Sequence, residues 1–197
     1  KTAELTDPAA LAHWFTTSIP ALMQNAGKEN RVCSPLNVYM ALSMLAAVTD
    51  GETRQQILDA LGAESLELLQ KQTVQLWTEN SWDDGLVTST LANSIWLRNG
   101  YSYNEETLQT LGEDYYASAF SGEMGSGAYN NMLRDWINEH TGNLLTEQAN
   151  GLKLDPNTVI ALVSAIYYRA PWSDSFYDGA TTQDVFHAPD DDVTAPS

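Results

Sequence analysis

The run Thr158-Val159-Ile160-Ala161-Leu162-Val163-Ser164-Ala165-Ile166-Tyr167-Tyr168 contains no charged residue and is built mainly from β-branched, aliphatic and aromatic side chains. Asp155-Pro156-Asn157 precedes it with a turn signal and Arg169-Ala170-Pro171 closes it. Its length and flanks therefore specify a strand rather than a helix. Both parities of the run are apolar, which predicts a central strand covered on both faces. Such a strand dictates a sheet inside a sizeable fold, because an open edge on it would invite pairing with another chain.

The rest of the chain supplies the cover. From Asp7 to about Asn25, the residues Leu11, Trp14, Phe15, Ile19, Leu22 and Met23 recur at spacings of three and four, as one buried face of a helix requires. Ser34-Pro35 offers an N-cap and a first-turn proline to residues 36–48, which are apolar almost all round. A helix of that kind belongs in the middle of a domain, where Ser34, Asn37 and Ser43 need hydrogen-bond partners. Thr53 is placed to cap a short third helix and Gly62 to end it, and residues 65–80 read as a fourth.

After a loop at residues 81–85 the period changes: residues 86–97 alternate and favour a strand, ending at Asn99-Gly100. Residues 104–116 return to helix, 117–120 are a short extended piece and 121–128 a glycine-rich loop. A helix over residues 130–140 and an irregular stretch over 141–154 lead into the apolar run, and the polar tail from Trp172 carries no closing element. Helices early and strands late predict an α+β arrangement, helices gathered against a mainly antiparallel or mixed sheet, in a single domain over residues 1–197.

Composition removes several functional classes. The net charge of −17 comes from 26 acidic residues against 9 scattered Lys and Arg, so no surface tracks phosphates and nucleic acid is not a partner. The acidity serves solubility, and it mildly favours basic partners. Cys33 is the single cysteine, so no internal disulfide forms, and a small buried thiol at the head of the second helix is the expected role. No apolar segment approaches the roughly 20 residues that cross a bilayer. The chain opens at Lys1 rather than Met and shows no charged, apolar leader pattern, so any export signal is expected to have been removed from it.

A search for catalytic and ligand-binding patterns returns none. Gly122, Gly125 and Gly127 have neither the spacing nor the lysine of a phosphate loop. His13, His140 and His187 lie far apart, so no metal site is expected, and His140 reads as a helix-end residue favoured by the dipole. Asp190-Asp191-Asp192 lacks the alternation of a calcium loop and reads as a solvated turn. Asp83-Asp84 and Glu105-Glu106 read as surface charge, and Trp14, Trp77, Trp96 and Trp136 as core rather than a sugar platform. No cofactor is implied.

Five ordered blocks do resemble a family, the serpins. Asn30 with Ser34-Pro35-Leu36-Asn37 and Ala41-Leu42-Ser43-Met44-Leu45 resembles the family's buried second helix. Thr49-Asp50-Gly51-Glu52-Thr53 through Ala60-Leu61-Gly62 continues the likeness. Leu91-Ala92-Asn93-Ser94-Ile95-Trp96 is similar to a strand of the large sheet, sheet A, and Trp136-Ile137 with Thr141 to the helix crossing that sheet. Leu162 through Trp172, then Phe176, Thr181 and Phe186, is similar to the third strand of sheet A and the segment after it.

The resemblance covers essentially the whole chain but roughly the first half of a serpin. It implies a serpin-like α+β fold with N-terminal helices packed on mixed sheet A, incomplete because the C-terminal half is absent. It also implies a non-enzymatic parent protein that inhibits serine, or else cysteine, proteases by a one-use trap. In that trap a cleaved reactive loop, absent from this chain, inserts beside the strand carrying Val159, Ala161, Val163, Ala165 and Tyr167. Asn30, Ser34, Asn37 and Ser164 match the polar cluster that governs sheet opening, and Trp172 the tryptophan where the loop first enters. Ser164 stands where the family usually has Asn, Asn37 where Ser is common, Ala170 and Asn143 where Gly is usual.

The implied partners are a target protease and a complementing C-terminal fragment, or else self-association at the exposed strand. The family points to secretion, and the absence of an Asn-X-Ser/Thr triplet leaves a bacterial source as the expectation. The alternative is a non-inhibitory, serpin-like interaction or scaffold protein.

Overall fold

The computed structural model describes residues 8–24, 32–174, 179, 182–188 and 191–196. Helix α1 (Pro8–Met23) carries the expected face only in part: Leu11 is buried and Trp14 and Phe15 pack against the same core, whereas Ile19 and Met23 are exposed. In α2 (Pro35–Val48) the Ser34 hydroxyl accepts the Asn37 N–H at 3.2 Å and Pro35 occupies the first turn; such a cap stabilises by about 1 kcal/mol. Inside α2 the Ser43 hydroxyl turns back to the Tyr39 carbonyl at 2.8 Å, so a helix buried nearly all round leaves that group satisfied.

Helix α3 (Gly51–Leu61) begins earlier than its sequence suggests. Asp50, not Thr53, is the N-cap and accepts the Gly51 N–H. A carboxylate at a helix start also gains from the macrodipole, which favours the earlier register. Gly62 ends the helix in the left-handed region at φ 68°, donating to the Asp59 carbonyl, as a glycine C-cap does. Ser65 caps α4 (Leu66–Asn80).

The expected loop at 81–85 instead contains a two-residue strand, β1 (Trp82–Asp83), pairing antiparallel with β2 (Thr88–Arg98). Asp84 makes that possible: its carboxylate accepts the Leu86 and Val87 N–H groups at 2.9 and 2.8 Å and folds the turn. Helix α5 (Glu105–Asp114) and β3 (Ala117–Gly122) follow, β3 running two residues further than expected into the glycine-rich stretch. Helix α6 (Gly127–His140) begins before Asn130, and the expected irregular segment holds a short helix, α7 (Thr146–Asn150). Then comes β4 (Ile160–Arg169). The tail also differs from expectation: β5 (Gln183–His187) and β6 (Asp192–Pro196) form an antiparallel hairpin of their own.

β2 is the middle of a mixed sheet. β4 pairs along one side of it, antiparallel, from Thr88↔Arg169 to Leu97↔Ile160. On the other side lie β1 at one end and β3, parallel, at the other. Register sorts the two faces. Ala92, Trp96 and Ala165 look toward α6 and pack with Leu133, Trp136 and Ile137. Ile95, Leu97 and Leu162 look the other way and pack with Met44 of α2 and Leu111 of α5.

The apolar run is therefore not the central strand. Among the described residues β4 pairs with β2 alone, and of its residues Ala165 is the one fully buried, at 8% exposure. β2 holds the central place, with residues 91–97 all buried. An apolar pattern on both parities carries no information about lateral neighbours, and the cover it predicts is partial, since Ile160, Ile166 and Tyr168 remain exposed.

Candidate functional site

The free side of β4 is walled by two helical layers. Below it the start of α2 presents Val32, Cys33 and Asn37, and above it the turn after α6 presents Thr141, Leu144 and Leu145. Together with Ser164 to Tyr168 they enclose a slot of about 680 Å³. A second hollow of about 410 Å³ continues toward the start of β4 between Leu42, Leu45, Ile160 and Leu162. The walls are apolar while the strand edge keeps its backbone groups, so the slot suits an extended chain that adds to β4 by main-chain hydrogen bonds.

One polar contact crosses the floor. Asn37 Nδ2 donates to Ser164 Oγ at 3.0 Å, joining α2 to β4 across 127 residues of sequence. Ser34 caps α2 by accepting the Asn37 N–H, and it lines the same slot as Ser164. Asn37 Oδ1 is buried without a partner among the described residues. Asn30 lies outside the described residues.

The strand residues singled out in sequence divide differently from that cluster. Ala161, Val163 and Ala165 pack against the α6 core, and Tyr167 lies beside Gly142 in the turn after α6. Val159 stands just before β4, its carbonyl accepting the Arg98 N–H at 2.9 Å and the Tyr103 hydroxyl at 3.2 Å. Trp172 follows β4 and is 77% exposed. Cys33 is half-buried on the slot wall with Met23 Sδ 3.8 Å from its thiol, rather than fully buried. Of the four tryptophans, Trp96 and Trp136 are buried; Trp14 and Trp77 are half-buried.

Sequence reasoning missed Tyr129. Its hydroxyl accepts the Leu97 N–H at 3.1 Å and lies 2.9 Å from the Phe120 carbonyl, completing the ladder between β2 and β3 from a position on α6. Its ring fills the place a Cβ on Gly122 would occupy. The glycine at 122 was the available signal, though nothing local says which ring fills it.

His140 ends α6 with its ring stacked on Trp136, and the three histidines stay on separate elements. Among the described residues no group of three potential metal ligands comes together, and no helix is long and apolar enough to cross a membrane.

Comparison with known proteins fits this architecture. A family model described as "Serpin (serine protease inhibitor)" matches residues 13–196. Mouse neuroserpin is 27% identical over 169 residues, 84% of this chain and 41% of its own length. An uncharacterized serpin-like protein of Thermococcus kodakarensis is 27% identical over 87% of this chain and likewise 41% of its own length. The chain thus spans less than half of these relatives. Among solved structures, an Arabidopsis serpin in its native stressed conformation superposes with a TM-score of 0.82 at 23% identity, covering 95% of this chain and 50% of that one. These sources are animal, archaeal and plant, and they lend the expected bacterial source no support.

Proposed function

Because the chain belongs to the serpin family, we propose that it is the strand-receiving half of a conformational protease trap. The observation that carries this reading is the unpaired edge of β4, open along a slot between α2 and the α6 turn and bridged to α2 by Asn37 and Ser164. In the complete protein, the remaining half presents a bait loop as substrate. The protease's nucleophile attacks the scissile carbonyl, the amine fragment leaves, and an acyl-enzyme ester, or a thioester with a cysteine nucleophile, remains. The cut loop then adds beside β4, and the protease is displaced before water can cleave the ester. Each backbone hydrogen bond formed in that addition contributes about 1 kcal/mol net, so a full strand outweighs one floor contact.

In this reading residues 1–197 are part of one domain, the chain itself catalyses nothing, and the protein is secreted. The target is a serine or a cysteine protease. A complementing C-terminal half covers the slot, and without it copies of the chain share strands through β4.

The deciding experiment incubates the full-length protein with trypsin-like, chymotrypsin-like and papain-like proteases. Trapping yields a complex that survives SDS, and cleavage of the loop raises the thermal midpoint because a strand has been added. Cleavage without complex and without a raised midpoint overturns the trap and leaves the non-inhibitory interaction protein in its place.

A further inference from the structure

The opposite margin of the sheet is also open. Even-numbered residues of β3 turn their backbone toward β2: the Phe120 carbonyl meets the Tyr129 hydroxyl beside Leu97, and the Gly122 carbonyl accepts the Asn99 N–H. The N–H and C=O groups of Ala117, Ala119 and Ser121 therefore point away from the sheet, where no described strand pairs with them. β3 lacks the usual protections of such an edge: it has six residues, none of them charged or proline.

Both ends of this edge are acidic. Glu113 and Asp114 precede β3 and Glu123 follows it, with Glu113 and Glu123 exposed. The nearby cations are engaged elsewhere: Arg98 lies over the Tyr101 ring at 5.6 Å, and Lys71, which lines a hollow with Asp114, is paired to Glu67 at 2.7 Å. Tyr116 stands at the head of β3, two residues after Asp114, with its ring stacked on Trp77 at 3.7 Å and the residue 38% exposed.

We propose that the free edge of β3 binds an extended polypeptide segment with an uncharged centre of about six residues between two basic side chains. Main-chain bonds to Ala117, Ala119 and Ser121 hold the centre. One basic side chain meets Asp114 and the face of Tyr116, and the other meets Glu123. A second copy of this chain is disfavoured there, because antiparallel pairing would bring Glu123 of one copy against Asp114 of the other. This edge is independent of the β4 slot, so failure of either reading leaves the other standing.

The test uses the full-length protein and a capped synthetic peptide of alternating Thr and Val with Arg at both ends. Binding is expected to weaken at least tenfold for a peptide with Glu at both ends, for the Asp114→Asn/Glu123→Gln protein, and for a peptide N-methylated on alternate residues. Ala119→Pro, which removes an outward N–H and leaves the β2 ladder intact, should do the same. If Ala119→Pro fails to fold, the N-methylated peptide answers the same question on the unaltered protein. Equal binding of the Arg and Glu peptides, or unchanged binding after N-methylation, overturns the proposal. So does a dimer that Ala119→Pro abolishes, which would make a second copy the occupant.

Discussion

The Tyr167 ring occupies the space a side chain at residue 142 would need: a Cβ on Gly142 would stand 2.6 Å from Tyr167 Cε2, at a φ of +58°. The turn leaving α6 is thereby fitted to β4, the strand that borders the slot. Gly142→Ala meets two costs, about 1–2 kcal/mol for a left-handed alanine and a further share for moving the ring. A loss of about 2 kcal/mol in urea unfolding is the expected result. In a Tyr167→Ala background the ring's share disappears, so the loss should shrink to the backbone part. An equal loss in both backgrounds would show that the ring plays no part.

The Asn37 to Ser164 bond ranks two deletions. Ser164→Ala leaves Asn37 with both amide atoms unpaired on a partly buried floor, since Oδ1 already has no partner; that costs about 1–3 kcal/mol. Asn37→Ala removes the orphaned carbonyl together with the bond and leaves a hydroxyl that lines the slot, where water reaches it. Its cost is about 1 kcal/mol or less. Exchanging the two, Asn37→Ser with Ser164→Asn, keeps an amide facing a hydroxyl and should recover most of either loss. Unfolding midpoints with an unchanged m-value give the comparison, and the reverse ranking would mean that this bond does not govern the floor.

Local signals in the sequence specified the helices well. Ser34, Ser65 and Gly62 each stand at the boundary where capping chemistry places them. Asp50 displaced Thr53 because two capping residues lay within one turn, and only geometry chooses between them. The strands were legible in type but not in position. Apolar residues on both faces of residues 160–169 say that helices lie above and below, whereas the neighbour of an edge is set by chain far away in sequence. The Asn37–Ser164 pair became legible only through family resemblance, since no spacing rule links residues 127 apart. Tyr129 carried no signal because its role depends on a ladder between two strands that it does not belong to.

That hydroxyl yields a prediction of its own. Tyr129→Phe keeps the ring against Gly122 but leaves the Leu97 N–H without the acceptor it has at 3.1 Å. A buried donor left unpaired costs about 1–3 kcal/mol. Amide exchange at Leu97 should quicken more than at Ile95, which lies further inside the same strand. Unchanged exchange at Leu97 would mean that the hydroxyl is not part of the ladder.

Alkaline pH tests the same core from another side. Burial pushes the Tyr115 hydroxyl well above its ordinary value of 10.0, with Asp114 adding to the effect. Burial likewise raises Tyr129. Below pH 10 both states keep these protons, so the stability that the raised values represent is fully present. Above pH 10 the unfolded chain ionises while the folded chain does not, the unfolded state binds fewer protons, and stability falls as pH rises. Tyr115→Phe removes one of the two groups from that balance. Its stability should therefore fall less steeply above pH 10 than the parent's, as measured by urea unfolding at successive pH values. Parallel slopes for parent and variant would show that Tyr115 ionises as readily in the folded chain as in the unfolded one.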